Sequence, residues 1–131
     1  MRKIILASGP VIVEDGKVLL NKHGDTSFWK FCGGKVEDYD QNLFEAAKRE
    51  TEEEIGVDLR IINDEPFFFY TKKEVDGVMV DVVLVHFLAE RIGEVKLGVD
   101  IREVAWLEID KLPHDLAPNI IPALKHFGFI G

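Results

Sequence analysis

The sequence predicts an α+β fold of three layers, a mixed β-sheet flanked by one central helix and one C-terminal helix. Three observations carry this expectation. Short apolar runs separated by turn signals occupy most of the chain, the spacing turns helical from Leu43 to Glu54, and it turns helical again from Pro118 to Phe127. With 131 residues, 47% of them hydrophobic, the chain suits one compact domain over 1–131 whose core needs no disulfide staples.

The elements follow in order. Met1 to Ala7 carries two basic residues and a short apolar run, but Gly9 and Pro10 interrupt it, so it reads as a strand rather than a signal sequence. Val11 to Val13 and Val18 to Leu20 are short apolar strands, and Asp15-Gly16 between them signals a hairpin. His23 to Ser27 is a polar loop, Phe28 to Phe31 is short and aromatic, and Gly33-Gly34 breaks regular structure. Leu43, Ala46 and Ala47 open the helix, and Gly56 stands where a C-cap belongs. Val57 to Ile62, Phe67 to Thr71 and Val78 to Leu88 read as strands, the last two joined by a turn near Asp76-Gly77. Val104 to Ile109 is a further strand, and Pro118 to Phe127 is the closing helix.

Charge and cysteine content narrow the function. The formal net charge of −8 argues against a protein that coats a nucleic acid polymer, which needs a basic footprint. It leaves open a phosphorylated small molecule, because a bound divalent metal reverses the local field. Cys32 is the single cysteine, so no disulfide forms within the chain, and a reducing cytoplasm fits. No apolar stretch approaches the roughly 20 residues that cross a membrane.

The most informative segment runs from Arg49 to Val57. Glu50, Glu53 and Glu54 stand at i, i+3 and i+4 and so share one helix face. Each like-charge pair at this spacing costs a few tenths of a kcal/mol. Gly56 ends the helix, so these carboxylates also crowd the end where the macrodipole disfavours anions. A sequence selected only for helix stability would place lysine or arginine there. Alone, four glutamates in Glu50 to Glu54 read as a solvated acidic face. Their surroundings favour a cluster that holds hard divalent cations, which prefer carboxylate oxygen. Gly33-Gly34 lets backbone approach closely, Arg49 can hold carboxylates by bidentate hydrogen bonds, and Ala46 and Ala47 keep the helix slim against a sheet.

Gly33-Gly34-Lys35-Val36-Glu37, Ala46-Ala47-Lys48-Arg49-Glu50 and Glu53-Glu54-Ile55-Gly56-Val57 together resemble the Nudix box. Thr51 fills a slot that is apolar in the family pattern. Skipping five residues after Gly34 gives Asp40, and eight residues, where the pattern has seven, separate Asp40 from Arg49. This implies a one-residue insertion between Glu37 and Leu43, with Asp40 in place of the usual glutamate. Phe28 to Gly34 also resembles the family's lead-in, with Cys32 where proline is usual.

The resemblance implies the α/β/α Nudix sandwich, with the glutamate-bearing helix as its catalytic helix. It implies a nucleotide pyrophosphohydrolase of the MutT-like or ADP-ribose pyrophosphatase-like kind. Such an enzyme uses Mg2+ or Mn2+ to bring water onto a phosphorus atom of a nucleoside diphosphate derivative or nucleoside triphosphate. Glu50, Glu53 and Glu54 carry over as metal ligands, with the Gly34 carbonyl as a further candidate, and Arg49 carries over as the orienting residue. The base that takes the water proton is Glu50 or Glu53, or a later carboxylate, Asp100 or Glu103. The alternative is a Nudix domain that senses a ligand without turnover; the three retained glutamates weigh against it. A purely structural domain is the third reading, and the strained acidic helix end weighs against that one.

Other residues carry two readings each. Lys22 and His23 are candidate phosphate contacts or exposed strand-end charges. Trp29 and Phe31 are stacking surfaces for a base or core aromatics. Phe67 to Tyr70 lines the pocket, forms a homodimer contact or simply belongs to the core. Cys32 reads as a packed thiol, and His86, His114 and His126 as structural or solvated. Leu116 to Pro122 resembles the segment before the last helix of MutT-like enzymes, where an asparagine reads an oxidised purine. Asn119 is therefore a purine reader or a helix N-cap, roles that are compatible.

Overall fold

A computed structural model describes residues 3–131. The first strand, β1 (Ile4–Val11), covers most of the expected N-terminal strand; Met1 and Arg2 lie outside the described residues. Next come β2 (Val13–Glu14), β3 (Lys17–His23), β4 (Gly34–Lys35), α1 (Leu43–Ile55), β5 (Asp58–Val75), β6 (Val78–Ile92), β7 (Ile101–Glu108) and α2 (Ile120–His126).

The described strands divide between two sheets. A mixed four-stranded sheet has the order β4-β1-β6-β5, with β1 parallel to β6 and the outer pairs antiparallel. An antiparallel sheet has the order β2-β3-β7. The chain passes from one sheet to the other at Ile12, whose carbonyl still accepts from the Leu19 N–H at 3.0 Å.

The apolar run Val18-Leu19-Leu20 is buried on both faces, which is why it does not alternate with polar residues. Val18 and Leu20 join Val11, Trp29, Phe31 and the α2 residues Ile120, Ala123 and Leu124. Leu19 faces the opposite way, onto Ile12, Cys32 and the α1 residues Ala47 and Ile55. The two helices thus cap two separate cores with strands between them, the three-layer arrangement expected.

Both hairpin turns take their predicted form. Asp15-Gly16 and Asp76-Gly77 have positive φ throughout, 52° and 74° in the first and 51° and 78° in the second, as a two-residue turn matched to strand twist requires. One expectation needs correction. The strands anticipated over Val57–Ile62 and Phe67–Thr71 are a single strand, β5, whose register against β6 shifts between Ile61 and Asn63 and again between Asn63 and Phe67. Asn63 Oδ1 accepts from the Glu65 N–H at 3.0 Å, and Pro66 follows. Turn chemistry and a proline are absorbed as a bulge because β5 lies at the sheet edge, where a missing ladder donor costs little.

α1 starts on Asn42, an extended residue whose side chain accepts from the Glu45 N–H. It stops on Gly56 at φ 71°, whose N–H returns to the Glu52 carbonyl. Among the described residues no helix is long and apolar enough to cross a membrane.

Candidate active site

The glutamates of α1 form a gradient of burial. Glu53 is exposed, Glu50 is half-buried, and Glu54 is buried at 7% exposure. Helical spacing alone would leave all three equivalent; their neighbours separate them.

Arg49 organises the outer two. Its Nη1 donates to Glu50 Oε1 at 2.9 Å and to Glu53 Oε1 at 3.4 Å. Its Nε and Nη2 donate to Asp40 Oδ1 and Oδ2, each at 2.9 Å, and Nη2 also reaches the Lys35 carbonyl at 3.1 Å. Asp40 further accepts from the Glu37 N–H, closing the loop that carries it. These hydrogen bonds, Arg49's first, hold the Asp40 carboxyl below the usual carboxylate range, and the pairing with Asp40 in turn raises the Arg49 pKa. Tyr39 lies beneath the guanidinium, its ring centroid 5.2 Å from Arg49 Cζ. The extra residue in this loop therefore leaves a carboxylate in register with Arg49.

The glycine pair forms the opposite wall. A Cβ on Gly34 would sit 2.5 Å from the Glu50 carboxylate, so only glycine lets that carboxylate lie on the backbone. Gly33 adopts φ 138°, and a Cβ there would strike the Ser8 carbonyl at 2.5 Å. That conformation turns the Gly33 N–H onto Glu54 Oε1 at 2.9 Å. Burial pushes Glu54 up to about 7, against the opposing pull of the Gly33 N–H. His23 Nδ1 lies 3.6 Å from Glu54 Oε2, just beyond hydrogen-bond length.

The helix end itself is closed from a distance. The Gly98 N–H donates to the Glu54 carbonyl at 2.7 Å, and the Lys96 N–H donates to the Ile55 carbonyl at 2.8 Å. Together with Gly56 they satisfy carbonyls that acidic side chains cannot. Thr51, in the slot that is apolar in the family pattern, is fully buried and spends its hydroxyl on the Ala47 carbonyl at 2.6 Å.

The remaining candidates disperse. Lys22 lies over the Trp29 ring at 4.6 Å and 3.5 Å from Asp115. Trp29 and Phe31 are buried in the α2 core, at 7% and 3% exposure, the core reading of the two that the sequence offers. Asp100 and Glu103 are exposed beside the end of β3; the Asp100 carbonyl accepts from the Gly24 N–H, and Glu103 pairs in register with Lys22. The buried Cys32 thiol accepts from Asn21 Nδ2 at 3.2 Å and is pushed up to about 12 by burial, so it is a packed thiol. Asn119 occupies the N-cap position of α2 but makes no capping bond. Its backbone is helical, φ −87° and ψ −10°, rather than extended, and its amide instead meets His86 Nε2 at 2.7 Å.

Sequence reasoning missed the Gly98 closure and the partnership of Asn119 with His86. It also gave no sign that His23 lies beside Glu54. Each is a contact between segments far apart in sequence, and only the isolated glycine at 98 hints at close approach.

Among the described residues, no three acidic, histidine or cysteine side chains are arranged to hold a metal ion already. Arg49 holds Glu50 and Glu53 while the Gly33 N–H holds Glu54. The donor chemistry nevertheless fits a hard cation: carboxylate oxygens on one face, a glycine wall against one of them, and a desolvated glutamate. Magnesium needs only one or two protein carboxylates and fills its shell with water and phosphate oxygen.

A family model described as NUDIX domain matches residues 5–127. No curated protein matches the chain. Among solved structures, the chain is similar to a MutT NUDIX hydrolase from Burkholderia pseudomallei, with TM-score 0.77 and 25% identity over 95% of this chain and 98% of that one. It is also similar to the E. coli ORF135 protein, with TM-score 0.69 and 27% identity over 96% of this chain and 89% of that one. An ADP-ribose pyrophosphatase from Streptococcus suis shares the fold at 22% identity and TM-score 0.65, over 92% of this chain and 87% of that one.

Proposed function

Because the chain belongs to the NUDIX family, we propose that it is a magnesium-dependent hydrolase of a phosphoanhydride bond in a nucleoside triphosphate or nucleoside diphosphate derivative. The observation that carries this reading is the set of glutamates on α1, graded in burial and held between the Arg49–Asp40 pair and the Gly33–Gly34 wall. A solvated acidic face has no use for an arginine committed to three carboxylates, nor for a Gly33 N–H committed to a fourth.

Glu50, Glu53 and Glu54 are the residues that would hold Mg2+, with the Gly34 carbonyl as a further ligand. When bound, such a cation neutralises phosphate charge and lowers the pKa of water. Phosphoryl transfer otherwise asks the protein mainly for positioning. Arg49, anchored by Asp40, sets the directions of Glu50 and Glu53; the Gly33 N–H does the same for Glu54. Glu50 or Glu53 takes the proton of the attacking water, with Asp100 or Glu103 as candidates from the β3 side. Asn119 belongs to the base-binding side, a reading supported by the resemblance of its segment and by an amide not spent on capping. A cytoplasmic setting completes the reading.

The substrates in contention are oxidised nucleoside triphosphates, ADP-ribose and dinucleoside polyphosphates. A panel of these with magnesium, scored by product identity, tests the proposal. Turnover that releases a nucleoside monophosphate is expected. No turnover of any member, with the fold intact, would favour a ligand-binding domain instead.

A further inference from the structure

We propose that His86 is a positioning residue: it locks the side-chain amide of Asn119 so that its carbonyl oxygen faces substrate and accepts from an N–H donor on a nucleobase edge. This rests on the reading that Asn119 belongs to the base-binding side, and it adds what sets the direction of the amide.

The lock is a chain of obligate donors and acceptors. His86 stands opposite Gly9 in the parallel register of β1 and β6, and its Nδ1 lies 3.3 Å from the Gly9 carbonyl. A carbonyl only accepts, so Nδ1 carries the hydrogen. His86 is buried at 4% exposure, and burial lowers its pKa to about 4, so the ring is neutral at pH 7 and holds one N–H. Nε2 is then an acceptor. The Asn119 atom 2.7 Å from it must be the NH2 group, since an amide oxygen there would set lone pair against lone pair. Oδ1 points away from His86. It accepts from no described residue and is not sealed from solvent.

Each link is immobilised. A Cβ on Gly9 would sit 1.9 Å from the Cys32 carbonyl, so the strand is pressed onto its neighbour and the Gly9 carbonyl cannot drift. Phe31 packs on the imidazole with ring centroids 4.7 Å apart. Asn119 is buried at 5% exposure and opens α2, so its backbone cannot move without disturbing that helix. An unrestrained amide flips to suit any edge; this one has a single direction.

Two measurements decide it. Nitrogen NMR on the full chain reads the His86 tautomer and any coupling from Nε2 to an Asn119 amide proton. A neutral, Nδ1-protonated ring with that coupling is expected at pH 7. A charged or Nε2-protonated ring, or no coupling, overturns the lock. Separately, kcat/KM is compared for guanosine, inosine and adenosine forms of a turned-over nucleotide in wild type, Asn119→Ala, His86→Leu and His86→Gln. His86→Leu should narrow the spread among bases by roughly tenfold, and Asn119→Ala should narrow it as much. The double variant should add nothing further, and His86→Gln, which keeps an acceptor, should restore part of the spread. If Asn119→Ala changes the ratios and neither His86 variant does, His86 positions nothing. If Asn119→Ala leaves the ratios unaltered, the base-reading premise fails, and the NMR result still reports whether the lock exists.

Discussion

Asp40 grips Arg49 through both carboxylate oxygens, Oδ1 on Nε and Oδ2 on Nη2, each at 2.9 Å. This fork leaves Nη1 of the same guanidinium to face Glu50 and Glu53. Asp40→Asn keeps one acceptor but sets an NH2 group against the guanidinium. We expect turnover to fall roughly 10–100-fold, the usual effect of losing the partner that orients a functional side chain, while the melting temperature changes little. Arg49→Lys should do as badly, since lysine cannot hold three carboxylates from a planar fork. Steady-state kinetics of both variants check this, and wild-type turnover in Asp40→Asn would show that the fork is incidental.

Glu53 is exposed, so the fold does not rest on its side chain. Glu53→Gln should lower turnover by more than roughly a hundredfold, yet leave the metal-free melting temperature unchanged or slightly higher, because one repulsive charge is gone from the helix end. Magnesium should raise the wild-type melting temperature, by the equivalent of about 2.7 kcal/mol at a hundred times its Kd. The shift should shrink in Glu50→Gln and Glu54→Gln. A flat magnesium titration of the wild type, with a non-hydrolysable nucleotide present, would remove the metal-site assignment.

What could be read from the sequence was local. Gly56, the two Asp-Gly turns and the period of α1 each act within a few residues, and each stands where expected. Asp40 was legible only through motif arithmetic, because its pairing with Arg49 spans a loop rather than a helix face. The joining of β5 through Pro66 was not legible, since Pro66 and Asn63 signal a break and only edge position makes the break tolerable. The partners Gly98 with Glu54 and His86 with Asn119 are 44 and 33 residues apart, and no period marks them. Trp29 carries two readings because a buried aromatic and a stacking aromatic are identical as letters, and its place in the α2 core decides for the first.

Gly98 closes the helix that carries the glutamates. A Cβ there would sit 2.2 Å from the Glu53 carbonyl, a backbone atom that cannot step aside. Gly98→Ala should therefore cost roughly 1–3 kcal/mol, as overpacking typically does, and should reduce turnover as well by displacing Glu53 and Glu54. Denaturant melts and kinetics on the same preparation check both effects. A variant with wild-type stability would mean that the Val95–Val99 segment shifts freely and does not set the helix end.

His86 makes stability depend on acid. Its ordinary pKa of about 6.5 applies in the unfolded chain, while burial lowers it to about 4 in the folded protein. The Gly9 carbonyl opposes this weakly. Between these values the unfolded chain binds a proton that the folded chain refuses, so stability falls as pH falls. The contribution is fully present above about pH 6.5 and is lost progressively down to about pH 4, a total of roughly 3 kcal/mol. Below about pH 4 this group adds no further loss. His86→Gln has no such proton to refuse. Carboxylates titrate in the same range, but they do so alike in both proteins, so the difference between them isolates the imidazole. Urea melts at pH 7 and pH 4.5 should show a markedly smaller drop for the variant, and equal drops would mean that His86 takes its proton without unfolding the core around it.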